Sequence, residues 1–151
     1  MKAPLLLIFL TVLAGCATVP AGSKFSGIEN APDAANVYVF RLYTAPYLRK
    51  PDLKVNDVVV GELPTNSYTV LRLKPGTYKI GTDWGFLDGL ILNKSATLSV
   101  ELGKSYYVHF TGSTRVIGTM VTFGPGVSTG DARDAAGDLA ACSYVAVKGA
   151  N

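Results

Sequence analysis

Alternation of apolar and polar residues dominates the chain from residue 36 onward and predicts strands at short spacing. Residues 37–43 are β-branched and aromatic with apolar side chains on both faces, which is typical of a central, buried strand. The other runs that predict strands lie at 53–55, 58–60, 68–73, 77–80, 96–102 and 105–110, within 115–123, and at 143–148. The pattern predicts a mainly β fold, an antiparallel β-sandwich of about seven or eight short strands.

Turn residues separate these strands and indicate how they connect. Asn56 and Asp57 have the composition of a two-residue hairpin turn. At residues 75–76 a proline pre-sets the turn and a glycine supplies a positive φ, and residues 103–104 mark a further reversal. The runs on either side of each turn are therefore expected to pair as hairpins.

One short helix near the C-terminus is predicted, at residues 131–141. The glycine-rich segment 124–130 is expected to be a structural connection in which Ser128 or Thr129 caps that helix. A phosphate-binding loop is the less favoured interpretation, because Pro125 lacks an N–H and no Lys-Ser/Thr pair follows.

The start of the chain has the pattern of a secretory signal. One positive charge is followed by the mostly apolar residues 5–13, a stretch too short to span a bilayer as a helix. Leu13, Ala14 and Gly15 then precede Cys16, and this sequence resembles the bacterial lipobox recognised by the lipoprotein signal peptidase. Cys16 would become the lipid-carrying first residue; an ordinary secretory signal and an uncleaved anchor are the alternatives.

Acyl chains on Cys16 would tie the protein to a membrane, since two or more chains anchor stably. Ala17 follows the cysteine, and the absence of Asp there favours the periplasmic face of the outer membrane over the inner membrane. The expected organisation is a signal peptide at 1–15, a lipidated N-terminus and flexible tether at 16–35, and a β-sandwich domain at 36–151.

Charge and cysteine content limit the classes of function. The formal net charge of +3 is small and spread along the chain, which argues against a nucleic-acid partner. With Cys16 lipidated, Cys142 has no intramolecular partner, and its small, apolar neighbours predict a buried hydrophobe; a reactive thiol is the alternative. Neither a metal nor any other cofactor is expected.

A family resemblance enters with the order of segments 37–41, 55–63, 73–78 and 103–108. They resemble small bacterial lipoproteins whose domain is catalogued only as one of unknown function. The middle part is also similar to PEGA-type surface β-sandwich modules. The resemblance implies a fold and a location, and it supplies no catalytic residue.

Candidate chemistry is sparse, and no enzyme activity is predicted. His109 is the single histidine, and strand periodicity places it with Tyr107 on the face opposite Val108. A structural histidine is favoured over a catalytic one, because no nucleophile motif accompanies it. Asp134 and Asp138 share one side of the predicted helix with a third aspartate, and a solvated face is favoured there over a calcium site.

The segment that follows residue 82 is the candidate binding loop. Asp83, Trp84, Phe86 and Asp88 lie between glycines, and exposed aromatic residues on such loops often bind partners. The alternative is that both aromatic residues close one end of the core.

The favoured function is a lipid-anchored, non-catalytic envelope module that binds another envelope protein or supports an assembly. The alternative is a protein that binds a small ligand or envelope glycan through the Trp84 loop.

Overall fold

The computed structural model describes residues 22–29, 31–85, 93–117, 120–130 and 132–148, and within 113–134 it describes the backbone alone. The described elements are β1 (Ala35–Arg41), β2 (Asp52–Val55), β3 (Val58–Glu62), β4 (Ser67–Leu73), β5 (Gly76–Asp83), β6 (Lys94–Val100), β7 (Ser105–Ile117), β8 (Met120–Gly130), α1 (Ala132–Ala140) and β9 (Ser143–Tyr144).

These strands form two sheets, one of five strands in the order β8-β7-β1-β4-β9 and one of four in the order β3-β2-β5-β6. The predicted mainly β, two-sheet architecture with one short helix near the C-terminus is confirmed. Pairing is mainly antiparallel, but β1 lies parallel to β7 and β4 lies parallel to β9. Strands distant in sequence are therefore neighbours in the larger sheet.

The main core lies between the two sheets. All seven residues of β1 are buried, as expected for a central strand covered on both faces. Its odd-numbered residues, Ala35, Val37 and Val39, pack with Leu53 and Ile80 of the smaller sheet. This shared core fixes the relative position of the sheets.

The other face of the larger sheet is covered by α1. Tyr38 and Phe40 of β1 pack there with Leu139 and with Cys142, which follows the helix. Cys142 is a buried free thiol, which confirms the prediction of a buried hydrophobe, and burial raises the pKa of Cys142 to about 11. The helix thus forms a third layer.

The segment expected to be a tether behaves differently where it is described. Lys24 forms a β-bridge with Ser143, and the ring of Phe25 packs edge-on against Tyr38 and Tyr68. Residues 22–29 therefore lie against the domain, because an aromatic side chain at position 25 finds apolar partners there. Residues 16–21 lie outside the described residues.

The predicted hairpin turn between β2 and β3 is confirmed in detail. Asn56 and Asp57 both have positive φ, 48° and 66°, as a type I′ turn requires. The side-chain oxygen of Asn56 also accepts a hydrogen bond from the backbone N–H of Lys79 at 2.9 Å. That contact ties the turn to the neighbouring strand β5.

Two expectations near the C-terminus are wrong. Residues 124–130 belong to β8 and pair with β7, so they are not a connection that caps the helix. An edge strand tolerates Pro125, since its missing N–H costs no ladder hydrogen bond on the open side. The last strand is confined to β9, and beyond it the chain crosses to the smaller sheet, where Lys148 N–H donates to the Val60 carbonyl at 2.6 Å.

Candidate functional site

The two ends of the five-stranded sheet are defined by strand register. Arg41 pairs with Ser67, Ser67 with Ser143, and Ser143 with Lys24, so these four residues form one row across the sheet. This row is the Arg41 end. The opposite end, the Ala35 end, lies where Ala35 pairs with Leu73 and where the turn before β7 meets β1.

Arg41 is the most unusual residue of the described core. Its side chain continues the inward face of β1 and is 1% exposed. Nη1 donates to the carbonyls of Arg49 at 2.9 Å and Leu63 at 3.3 Å. Nη2 donates to the carbonyls of Thr44 at 3.1 Å and Pro46 at 2.7 Å. A buried guanidinium therefore fastens the main chain of the segment that follows β1.

The ring of Trp84 also contacts this guanidinium. The Cζ atom of Arg41 lies 4.8 Å from the centre of the Trp84 ring, within range of a cation–π contact. Burial lowers the pKa of Arg41 to about 10, and among the described residues no carboxylate forms an ion pair with it. At neutral pH the side chain is still charged, and carbonyl dipoles and the indole ring stabilise that charge.

Residues 42–50, termed here the Arg41 loop, present apolar side chains outward. Tyr43 and Tyr47 stack with ring centres 4.7 Å apart and remain 65% and 51% exposed. Leu48 is 98% exposed, and Lys50 beyond it is exposed as well. Exposed apolar side chains that lie next to one another are a feature of interaction surfaces.

The loop also packs directly on the sheet beneath it. Ala45 is buried, and a Cβ added to Gly112 of β7 would overlap the Ala45 carbonyl oxygen. The glycine at position 112 therefore permits the close approach of two backbones. Together with Arg41, this contact fixes the loop from below while its tyrosines and leucine face outward.

Only the first part of the predicted binding loop lies within the described residues. Trp84 is 8% exposed, as the interpretation that it closes one end of the core expects. Asp83 forms an ion pair with Lys54, accepts a hydrogen bond from Gly85 N–H at 2.9 Å, and has its pKa lowered chiefly by the Lys54 ammonium. Phe86 and Asp88 lie outside the described residues.

A polar cleft lies on the outer face of the smaller sheet beside Asp83. It encloses about 270 Å³, and its described lining is Lys54, Asp57, Lys79, Gly81, Thr82, Asp83, Asn93, Lys94 and Ser95. Lys54 and Lys79 are each paired with an aspartate inside the cleft. The cleft therefore offers hydrogen-bonding groups of both signs.

His109 lies under the helix, away from the Arg41 loop surface. Its ring stacks on Phe40 with centres 4.5 Å apart, and Nδ1 is 3.9 Å from an Asp138 carboxylate oxygen. Burial lowers the pKa of His109, and Asp138 partly opposes that shift. The imidazole is thus neutral at pH 7 and packs as an aromatic ring.

The other predicted positions lie outside the described residues. These are Leu13, Ala14, Gly15 and Cys16 of the lipobox-like segment. Sequence reasoning missed the Arg41 loop. Its one available signal was a charged residue, Arg41, on the inward face of an otherwise apolar strand.

The described part of the chain lacks two further features. No group of three or more potential metal ligands occurs there. No helix among the described residues has the length and apolar character needed to cross a bilayer.

Comparison with known proteins gives a match to one family model. The model of the family described as "Protein of unknown function (DUF2846)" matches residues 31–124. An uncharacterized protein of Haemophilus influenzae is 27% identical over 103 residues, which cover 64% of this chain. The match spans 58% of that relative's length. No solved structure matches the chain significantly.

Proposed function

We propose that this chain, which belongs to the DUF2846 family of proteins of unknown function, is a lipid-anchored, non-catalytic interaction module of the bacterial cell envelope. The acyl chains are carried by Cys16, after removal of residues 1–15, and the domain faces the periplasm from the outer membrane. The lipobox-like sequence Leu13-Ala14-Gly15-Cys16 supports the anchor. The resemblance to small lipoproteins and PEGA-type modules belongs to this proposal.

The observation that carries the interaction role is the Arg41 loop. A buried guanidinium holds three carbonyls of its backbone, those of Thr44, Pro46 and Arg49, yet Tyr43, Tyr47 and Leu48 are exposed. A rigid loop with outward aromatic side chains binds at a low cost in conformational entropy, because little remains to be ordered. Folding alone gives no reason to leave such side chains in water.

The absence of an enzymatic role is part of the proposal. Among the described residues, His109 is enclosed by Phe40 and the helix, and the thiol of Cys142 is buried with a raised pKa. Neither group is among the described residues that line the polar cleft. These placements support a binding role over catalysis.

The experiment that tests the anchor compares intact masses of membrane-fraction protein. Wild type is expected to begin at residue 16 with added acyl mass, since the acylated thiol is the proposed attachment. Cys16→Ser should lose that mass and leave the membrane fraction, or keep its first 15 residues uncleaved. Cys142→Ser is the matched control, because it removes the other cysteine and should retain the acyl mass. A wild-type chain that lacks acyl mass would overturn the anchor.

A second candidate function rests on the polar cleft. Its lysines, carboxylates and Asn93 resemble the hydrogen-bonding groups that hold sugars or small anions, and Trp84 is the next residue in the chain after Asp83 of its lining. Titration with soluble envelope glycan fragments, followed by Trp84 fluorescence, tests this role. Saturable binding that Lys79→Ala weakens and Lys104→Ala leaves unchanged would favour it; a flat titration would remove it.

A further inference from the structure

We infer that the Arg41 loop is a membrane-contact element that rests Tyr43, Tyr47 and Leu48 on an anionic phospholipid surface. This inference rests on the proposed lipid anchor and names the partner of the surface already described. The acyl chains would hold the protein near the bilayer, and the loop would set which part of the domain faces it.

The short connection to the proposed anchor brings the domain close to lipid. Five residues lie between Cys16 and Gly22, and the six peptide units that join them span at most about 20 Å. A domain of this size is roughly 30 Å across. The domain is therefore held within about 20 Å of the proposed anchor, and its surface chemistry decides which side meets the bilayer.

The Arg41 end has the chemistry of a membrane interface. Tyrosine is enriched where lipid headgroups meet hydrocarbon, because its ring is apolar and its hydroxyl is polar. Leu48 adds an apolar side chain that no described residue covers. Lys50 and Lys24 are exposed at the same end and complement anionic headgroups. Lys24 lies in the Arg41 row, three strand spacings or about 14 Å from Arg41.

The Ala35 end lacks this combination among its described residues. Leu102 is exposed there, but it adjoins an ion pair between Glu101 and Lys104, with the two charged atoms 2.7 Å apart. That end carries no exposed aromatic cluster in the part of the chain that the structure describes. Leu102 therefore supplies an internal control of the same residue type.

The size of the patch favours lipid over a protein partner. A standard protein interface uses roughly 20–30 residues a side around a central aromatic or arginine anchor. Three neighbouring apolar side chains with flanking lysines are few for that purpose. They are enough for shallow insertion of a protein that acyl chains already hold at the membrane.

The test places one fluorescent label at each end of the sheet. Leu48→Cys and Leu102→Cys are each labelled with an environment-sensitive dye in full-length acylated protein. Cys142 is buried and its thiol pKa is raised, so it should stay unlabelled. The protein is reconstituted into vesicles of phosphatidylethanolamine and phosphatidylglycerol, with and without bromine on the acyl chains.

The dye at position 48 is expected to shift its emission to the blue, to be quenched by brominated lipid, and to resist aqueous iodide. The dye at position 102 should keep the emission that it has in an aqueous environment, and iodide should quench it. Equal, water-like behaviour at both positions would overturn the inference; it is also the result expected if a protein occupies the loop. Intact mass of the same preparation tests the anchor separately, because loss of acyl mass contradicts the proposed function alone.

Discussion

At the Ala35 end of the five-stranded sheet the chain reverses at Gly103, and main-chain hydrogen bonds of 2.9 and 3.0 Å join this turn to Ala34 and Asn36. At the Arg41 end the chain instead forms the Arg41 loop. Three carbonyls of this loop accept hydrogen bonds from one buried guanidinium. Local sequence suffices for the first arrangement, because a glycine with φ of 70° allows the turn. The second needs a buried charge, and burying a charge is costly unless hydrogen bonds compensate it, as the carbonyls around Arg41 do.

The largest effect is expected from Arg41→Met. Removing the guanidinium leaves four carbonyls without their donor at the end of the core and releases the loop. The free energy of unfolding should fall by about 3–5 kcal/mol, as for other buried charged hydrogen-bond networks. Denaturant unfolding measures this loss.

Arg72→Met is the matched control for that change. Arg72 is exposed and pairs with the exposed Glu29 at 2.9 Å. Its replacement should cost less than about 1 kcal/mol, because exposed ion pairs are screened by water. Equal losses in the two variants would show that Arg41 has no special role at its end of the sheet.

A pH-dependent effect is expected from Cys142, whose sulfur lies 3.9 Å from the Arg41 carbonyl oxygen. Burial raises its pKa from 9.0 to about 11, so between those values the unfolded chain loses a proton that the folded chain keeps. Stability should therefore fall as pH rises through this window, by about 2–3 kcal/mol in total. Wild type and Cys142→Ala are compared by unfolding at pH 8 to 11, and the variant should lack this component; parallel curves would contradict it.

Two glycine substitutions test whether the close approach of two backbones beneath the loop requires a glycine. In Gly112→Ala the new methyl group overlaps the Ala45 carbonyl, and the cost should be about 1–3 kcal/mol. In Gly137→Ala, on the exposed face of α1, nothing lies within 4 Å, and stability should rise by up to about 1 kcal/mol. Thermal unfolding of both variants measures the difference, and a neutral Gly112→Ala would mean that the loop backbone moves freely.

The smallest effect is expected from Leu48→Ser. The side chain is 98% exposed, so unfolding free energy should change by no more than about 0.5 kcal/mol. Leu53→Ala, in the core, should instead cost about 2–5 kcal/mol. A large loss for Leu48→Ser in denaturant unfolding would indicate that this leucine packs within the protein and is not displayed for a partner.

The elements that were predictable from sequence depend on neighbours in the chain. The burial of β1 follows from its apolar residues on both faces, and the turn at Asn56 and Asp57 follows from residues that tolerate positive φ. Cys142 was also predictable, because small apolar neighbours favour burial. In each case the local pattern and the tertiary environment agree.

The rest depends on contacts between distant residues. Residues 124–130 carry turn-forming glycines and a proline, yet long pairing with β7 makes them an edge strand. Arg41 ends an otherwise apolar strand, and the carbonyls that allow its burial, such as that of Leu63, come from other parts of the chain. The candidate surface was missed for this reason, because its support is non-local.

Photo-crosslinking in living cells tests the proposed membrane contact of the Arg41 end most directly. A photoreactive amino acid is placed at position 48 in one strain and at position 102 in another, and the crosslinked peptides are weighed. The account predicts a phospholipid adduct at position 48 and none at position 102. A protein adduct at position 48 without lipid, or the same adducts at both positions, would contradict it.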